Sequence, residues 1–344
     1  MKTKMKRLFV CLLATQIGLA FCEAVEFSWE DFLEGLRLAQ VEITSGELKI
    51  IHKLDALPSK SQEAASAEAE AVIQQMEQQF LTLPPDVQKH PRHRTMHERN
   101  IRLSRKYLPQ MIAGEIHVHE EWNLAFEVAY FSAKTKEPIF AHRLVQKDKR
   151  KYTDTEEAEF YVGGYTRSVI FDGIHALVLP EASPNVISSP ETPPAGSPES
   201  FNYEIRQLIG RCIETNLRKQ DIETFAPIKD GQSEYLLAFR IGKEKQILKK
   251  AIIDVEKSFC VKRIEYFITP DAQQPYSVVE FLEYRRSKAG IWYPQKIKRV
   301  GYRIKGTTRQ ISSIEEWDIA EVRFNVSFPD DFFQIPEKLR QFIQ

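Results

Sequence analysis

The chain has 344 residues, 42% of them hydrophobic, and 48 Lys and Arg balance 48 Asp and Glu. That balance excludes the basic excess of a nucleic-acid binder, so no nucleic-acid partner is expected. The length and the 21 phenylalanines suffice for a large core, in one big β domain or two smaller units, and cysteine is scarce at four residues.

The first residues, Met1-Lys2-Thr3-Lys4-Met5-Lys6-Arg7, put four basic side chains ahead of an apolar run from Leu8 to Phe21. This is the order of a secretory signal peptide, with cleavage after Ala24 or Ala20, and the run is too short to span a bilayer. Removing residues 1–24 takes away four basic residues and one acidic one, so the mature charge is −3 (−4 + 1). Leu19-Ala20-Phe21-Cys22 resembles a lipobox, but Phe21 stands where that signal wants Gly, Ala or Ser, which favours cleavage over a lipid anchor on Cys22. The protein is therefore expected in the periplasm or another extracytoplasmic space. Of the remaining cysteines, Cys212 and Cys260 either pair or stay as separate buried thiols, and sequence leaves both open.

Ser28-Trp29-Glu30-Asp31 begins a capped amphipathic helix with Trp29, Phe32, Leu33 and Leu36 at helical spacing. Glu47 to Leu54 reads as a strand. Ser61 to Leu83 is rich in Ala, Glu and Gln, with Val72, Ile73, Met76, Phe80 and Leu83 on one stripe, and Pro84-Pro85 stops it. The basic stretch from Gln88 to Lys106 is helix or loop on the surface, so the region of about 61–106 reads as a helical insertion. From Glu121 to Phe131 the period changes to two, with Trp122, Leu124, Phe126, Val128 and Tyr130 on one face. Arg143 to Lys151 is a charge run suited to a solvated edge or turn. Three meandering strands follow, Glu159–Val162, Thr166–Phe171 and Ile174–Leu179, joined by Gly163-Gly164 and Asp172-Gly173 turns. Residues 180–200 are Pro- and Ser-rich and read as an exposed loop.

Tyr203 to Leu217 reads as a helix with Ile205, Leu208, Ile209, Cys212 and Ile213 on one side. Six strands then run to the end, Glu234–Ile241, Lys250–Glu256, Cys260–Ile268, Ser277–Arg285, Ile291–Ile304 and Gln310–Glu321. Connections this short permit antiparallel pairing and exclude parallel crossovers. The fold class is α+β, one large antiparallel meander with helices laid against it.

Several strand stretches carry a family resemblance: Ser168-Val169-Ile170-Phe171-Asp172-Gly173, Ile252-Ile253-Asp254-Val255 through Tyr266, Phe281-Leu282-Glu283-Tyr284 through Gly290-Ile291-Trp292-Tyr293-Pro294, and the Phe-, Pro- and Asp-rich Phe324–Phe333. With the signal peptide and N-terminal helix, the chain from about Trp29 to Phe333 resembles the LolA, LolB and RseB superfamily of periplasmic lipoprotein carriers. The resemblance implies a curved antiparallel sheet, a half-open β-barrel covered by α-helices on its concave side, that holds acyl chains without chemistry or cofactor of its own. It also implies a lipid or acylated lipoprotein as partner, with a membrane-associated protein as donor or acceptor. The segments 61–106 and 180–200 are additions to that pattern, and no cavity arginine of the family aligns here.

The alternating side chains Trp122, Phe126, Tyr130, Val169, Phe171, Leu177, Leu179, Trp292, Tyr302 and Trp317 have two readings, ordinary core or the lining of an apolar cavity left by the helices Trp29–Gln40 and Val72–Leu83. On the second reading these ten residues are the expected ligand-binding set. The rival functions are an envelope-stress or signalling sensor binding a peptide or protein on the same fold, and a metal-dependent hydrolase using His93, His97, His117 and His119. Against the hydrolase stand Pro91, which interrupts the first histidine group, and the lack of His-Glu-x-x-His or a zinc-spaced cysteine pair. No Gly-x-Ser-x-Gly occurs, and the adjacent acid pairs Glu156-Glu157, Glu315-Glu316 and Asp330-Asp331 point to opposite faces of any strand. No metal, cofactor or enzymatic activity is expected.

Overall fold

Among the described residues, twelve strands form one antiparallel sheet, and their alternation follows from the period-two pattern of the sequence. The computed structural model describes residues 28–133, 137–149, 166–181, 198–229, 233–242 and 246–337. The expected signal peptide with Cys22, the expected Glu159–Val162 strand and Gly163-Gly164 turn, and most of the Pro-rich stretch lie outside the described residues, as do the side chains of 166–167, 178–181 and 198–202.

In chain order the elements are α1 (Trp29–Val41), β1 (Ser45–Ala56), α2 (Gln62–Leu81), α3 (Pro85–Lys89), α4 (Pro91–Ala113), β2 (Ile116–Phe131), β3 (Pro138–Asp148), β4 (Thr166–Phe171), β5 (Ala176–Glu181) and α5 (Pro198–Leu208). After a short 3₁₀ turn come β6 (Ile222–Pro227), β7 (Glu234–Ile241), β8 (Ile247–Asp254), β9 (Cys260–Phe267), β10 (Ser277–Arg286), β11 (Trp292–Lys305) and β12 (Thr308–Phe324). The strand order is β5-β4-β3-β2-β1-β12-β11-β10-β9-β8-β7-β6. This is the expected α+β half-open barrel, a curved sheet that does not close on itself.

That order imposes a crossing. The chain works outward from β1 to the edge strand β5 and then restarts at the opposite edge, β6, before meandering back to pair β12 with β1. The link from β5 to β6 must traverse one face of the sheet. It takes the concave one, because Ile205, Leu208, Ile209, Cys212 and Ile213 are all buried in the main core. The expected helix from Tyr203 to Leu217 is helical only to Leu208; the rest is irregular, with Gly210 at φ +71°.

Helix α1 covers the β6–β7 side of the same face. Ser28 caps it by accepting from the Asp31 amide at 3.2 Å, and Phe32 meets the rings of Phe225, Tyr235 and Phe259 at 4.8, 5.7 and 5.5 Å. A Cβ on Gly35 would fall 2.0 Å from a Phe259 ring carbon, so glycine lets the helix approach this closely.

The α2–α4 hairpin departs from expectation. Ala65, Ala69 and Ile73 of α2 are buried, Phe80 stacks on His97 of α4 at 3.9 Å, and Arg105 of α4 pairs with Glu77 at 3.1 Å. Among the described residues the main core holds no side chain of α2, so Val72–Leu83 does not cover the concave face. The alanine stripe is small enough for two helices to pack together, and this satisfies the hairpin without the sheet. No helix among the described residues is long and apolar enough to cross a membrane.

Candidate functional site

The concave face is built by register. Ile50 stands opposite Trp122 on one side and Ile319 on the other, and Ile297 stands opposite Trp317. From there the same face runs through Phe281, Val279, Ile264, Ala251, Ile253, Leu237 and Phe239, all buried in one core with α1 and the β5–β6 crossing. The surface is continuous and apolar, and the protein's own side chains fill its centre. Two open grooves lie elsewhere, one of about 600 Å³ beside Lys250, Phe267 and Asp271, the other of about 410 Å³ on the hairpin beside His97 and Arg105.

Of the ten residues expected to line a cavity, Trp122, Phe126, Val169, Phe171 and Trp317 are buried on the concave side: Val169 stands opposite Leu144 and Phe171 opposite His142. Leu177 stands opposite Ile170 and packs with it and Ile335 on the other face, because the turn through Asp172–His175 shifts the parity of β5. Tyr302 is on the outer face too, five residues from Ile297, with the Arg309 guanidinium 3.3 Å from its ring centroid. Tyr130 is 44% exposed, turned out by a bulge that makes it pair with Ile139 where Val128 pairs with Phe140. Trp292 starts β11 outside the main core, its ring 6.0 Å from the Lys257 ammonium. Leu179 lies on β5, and its side chain is outside the described set.

The histidines expected of a metal site are dispersed in their contacts. His97 stacks on Phe80, and the exposed His117 is held by Asp55 and Glu115 at 2.7 and 3.2 Å. Cys212 and Cys260 are both buried free thiols, and burial pushes the Cys212 thiol up to about 11 against the opposing charges of Lys249 and Arg206.

The sequence reading did not single out the buried charges, and most of them fasten the crossing segment. Arg206 donates to Glu137 at 2.8 Å, and Thr215 donates its amide to the same carboxylate at 2.9 Å. Arg211 is buried against Cys260 Sγ at 2.7 Å. Lys249, mid-strand in β8 and 0% exposed, donates to both Glu214 oxygens at 3.0 Å and to the Cys212 carbonyl at 3.3 Å. Burial opposes the Lys249 charge most strongly, but Glu214, Tyr266 and Cys212 together hold its pKa above the usual lysine value.

A second polar group sits at one level of the concave face. His52 is sandwiched between Trp122 and Trp317, ring centroids 4.4 and 5.4 Å away, with its nitrogens 3.4 Å from Glu120 and 3.0 Å from Glu315. Arg299 donates to Glu315 at 3.0 Å and to Gln207 of α5 at 2.7 Å, which ties α5 to this belt. Burial works against a charge on His52, but hydrogen bonds to Glu120 and Glu315 and their charges hold its pKa above the usual imidazole value.

Fold and site together define a class, an antiparallel half-barrel whose apolar concave face is occupied by a polar-fastened crossing segment. No protein-family model and no curated protein matches the chain. Among solved structures it is similar to a domain from Vibrio parahaemolyticus described as a "putative outer membrane lipoprotein-sorting protein domain", at 8% identity and a TM-score of 0.42 over 88% of this chain and 95% of that one. It is also similar to a DUF1329 family protein from Desulfovibrio piger, at 11% identity and a TM-score of 0.40 over 88% of this chain and 96% of that one.

Proposed function

We propose that this is an exported, non-catalytic binding protein that holds a lipid, or the acyl chain of a lipoprotein, against the concave face in the place that the β5–β6 crossing now fills. The observation that carries the reading is the cover itself. An apolar surface spanning most of the sheet is closed at its centre by one short helix and irregular backbone, tied down by buried side chains and by a main-chain hydrogen bond from Val261 of β9 to the Gly210 carbonyl at 3.3 Å. The signal-like N-terminal sequence supports an extracytoplasmic location, with a membrane-associated protein as the proposed donor or acceptor of the cargo. A fluorescent fatty acid titrated into delipidated protein, with native mass spectrometry of the freshly purified form, tests the reading. Saturable uptake or copurifying lipid supports it, and the absence of both sinks it.

The α2–α4 hairpin favours a second reading, a sensor for a protein partner on the same fold, since it stands apart from the core and exposes Leu81, Leu83 and Met96 at its far end. Capture of a membrane protein by the intact chain and not by one lacking residues 62–113 would favour the sensor.

A further inference from the structure

The following inference rests on the carrier reading and names the class of ligand: we infer that the concave face selects an amphiphile with an anionic head, and that Lys249 receives that head. The ammonium of Lys249 is boxed by the rings of Tyr203, Phe239 and Tyr266, whose centroids lie 5.3, 5.4 and 5.6 Å away. Its partners divide between two bodies. Phe239 and Tyr266 are its register neighbours on β7 and β9 and stay with the sheet. Glu214, the Cys212 carbonyl and Tyr203 all belong to the crossing segment.

Any ligand that takes the segment's place therefore strips Lys249 of its carboxylate, its carbonyl acceptor and one ring together. What remains beside it on the concave face is the Phe239 ring, Tyr266 with its uncharged hydroxyl, and the buried apolar side chains Leu237, Ala251, Ile253 and Ile264, none of which supplies a counter-charge. An ammonium left there without a counter-charge is strongly disfavoured. A carboxylate or phosphate arriving at the head of an apolar chain restores what Glu214 supplied, and an uncharged ester head does not. The other cations around the segment do not share this position. Arg299 keeps Glu315 on its own sheet, and Arg206 and Arg211 travel with the segment. Lys249 is thus a sheet cation whose carboxylate leaves with the cover.

The test compares laurate, methyl laurate and dodecyl phosphate on the full-length delipidated protein at neutral pH, read by tryptophan fluorescence and native mass spectrometry. Either anion is expected to bind about tenfold or more tighter than the ester, the range of a charge-assisted hydrogen bond, and the ratio between the two anions tells a carboxylate head from a phosphate head. Lys249→Met, similar in length and uncharged, is expected to abolish the preference. Equal binding of acid and ester by the unaltered protein overturns the head-group inference while the carrier reading stands. Binding of none of the three overturns both. A preference that survives in Lys249→Met overturns the role of Lys249. The comparison on the unaltered protein decides the matter even if the variant does not fold.

Discussion

The tie between Lys249 and Glu214 is one of the buried ion pairs that seat the crossing segment, and a double-mutant cycle measures it. Glu214→Gln preserves shape but leaves a fully buried ammonium with an uncharged partner. Breaking a buried ion pair from one side costs about 3–5 kcal/mol. Glu214 is 27% exposed, so water partly compensates and a loss of about 2–3 kcal/mol is expected. Lys249→Met removes the charge together with its need for a partner and should cost about 1 kcal/mol or less, since burying an apolar isostere in place of a pair is often near neutral. The double variant should then resemble Lys249→Met alone, with a coupling of about 2 kcal/mol. Urea denaturation midpoints at unchanged slope give the four free energies. Effects that add to within about 0.5 kcal/mol would show that the two groups do not share one buried interaction and would refute the reasoning.

Gly35→Ala should destabilise by about 1–3 kcal/mol through overpacking against Phe259 despite the better helix propensity of alanine, and Phe259→Leu should restore most of the loss in thermal melts. Burial depresses the pKa of His142 from 6.5 to about 4, so it contributes stability that is present above 6.5 and lost as pH falls toward 4, roughly 3 kcal/mol in all. His142→Phe should flatten that acid limb in denaturation series, and an unchanged limb would refute the assignment. His52 has the opposite sign: its raised pKa gives stability that is fully present below 6.5 and lost as pH rises through the folded value, so His52→Gln should flatten the alkaline side. Cys212, on the crossing segment, and Cys260, at the start of β9 beneath it, are both buried and should resist a maleimide reagent in the free protein and react faster when a fatty acid is bound. Slower labelling in the presence of ligand would mean that the segment stays in place.

The β7–β12 meander was legible because apolar side chains recur at every second position between short turns; its observed limits, such as Glu234–Ile241 and Cys260–Phe267, fall close to those read from sequence. The second half of β3 was not legible. Its concave-facing positions include His142 and Gln146, so contrast with the charged outer positions Arg143 and Lys147 is weak, and the stretch reads as a solvated turn. β6 contains Glu223 and Pro227, neither of which favours a strand. The faces of Tyr130 and Leu177 depend on a bulge and a turn length, each a one-residue matter that alternation does not reveal. The buried belt was missed because Glu315 sits in the adjacent acid pair Glu315-Glu316, whose alternation does not say which member faces inward, and His52 and Glu120 carry no motif. Lys249 left a trace, since the alternation of Ile247-Leu248-Lys249-Lys250-Ala251-Ile252-Ile253 forces one of the two lysines inward with Ala251 and Ile253.

Magnitudes explain why an apolar face has a cover fastened by charges. The crossing segment buries Ile205, Leu208, Ile209, Cys212 and Ile213, and five such side chains contribute roughly 10 kcal/mol. Ordering the eleven residues from Ile205 to Thr215 costs at least about 1 kcal/mol each. The apolar term and the entropic term nearly cancel, so the pairs with Glu137, Lys249 and Arg299 decide whether the segment sits or leaves. A saturated chain of fifteen methylenes buried on the same surface contributes about 12 kcal/mol, close to what the five side chains provide. Segment and acyl chain are therefore near-equivalent occupants of one surface, and the balance between them falls to the polar partners that each brings.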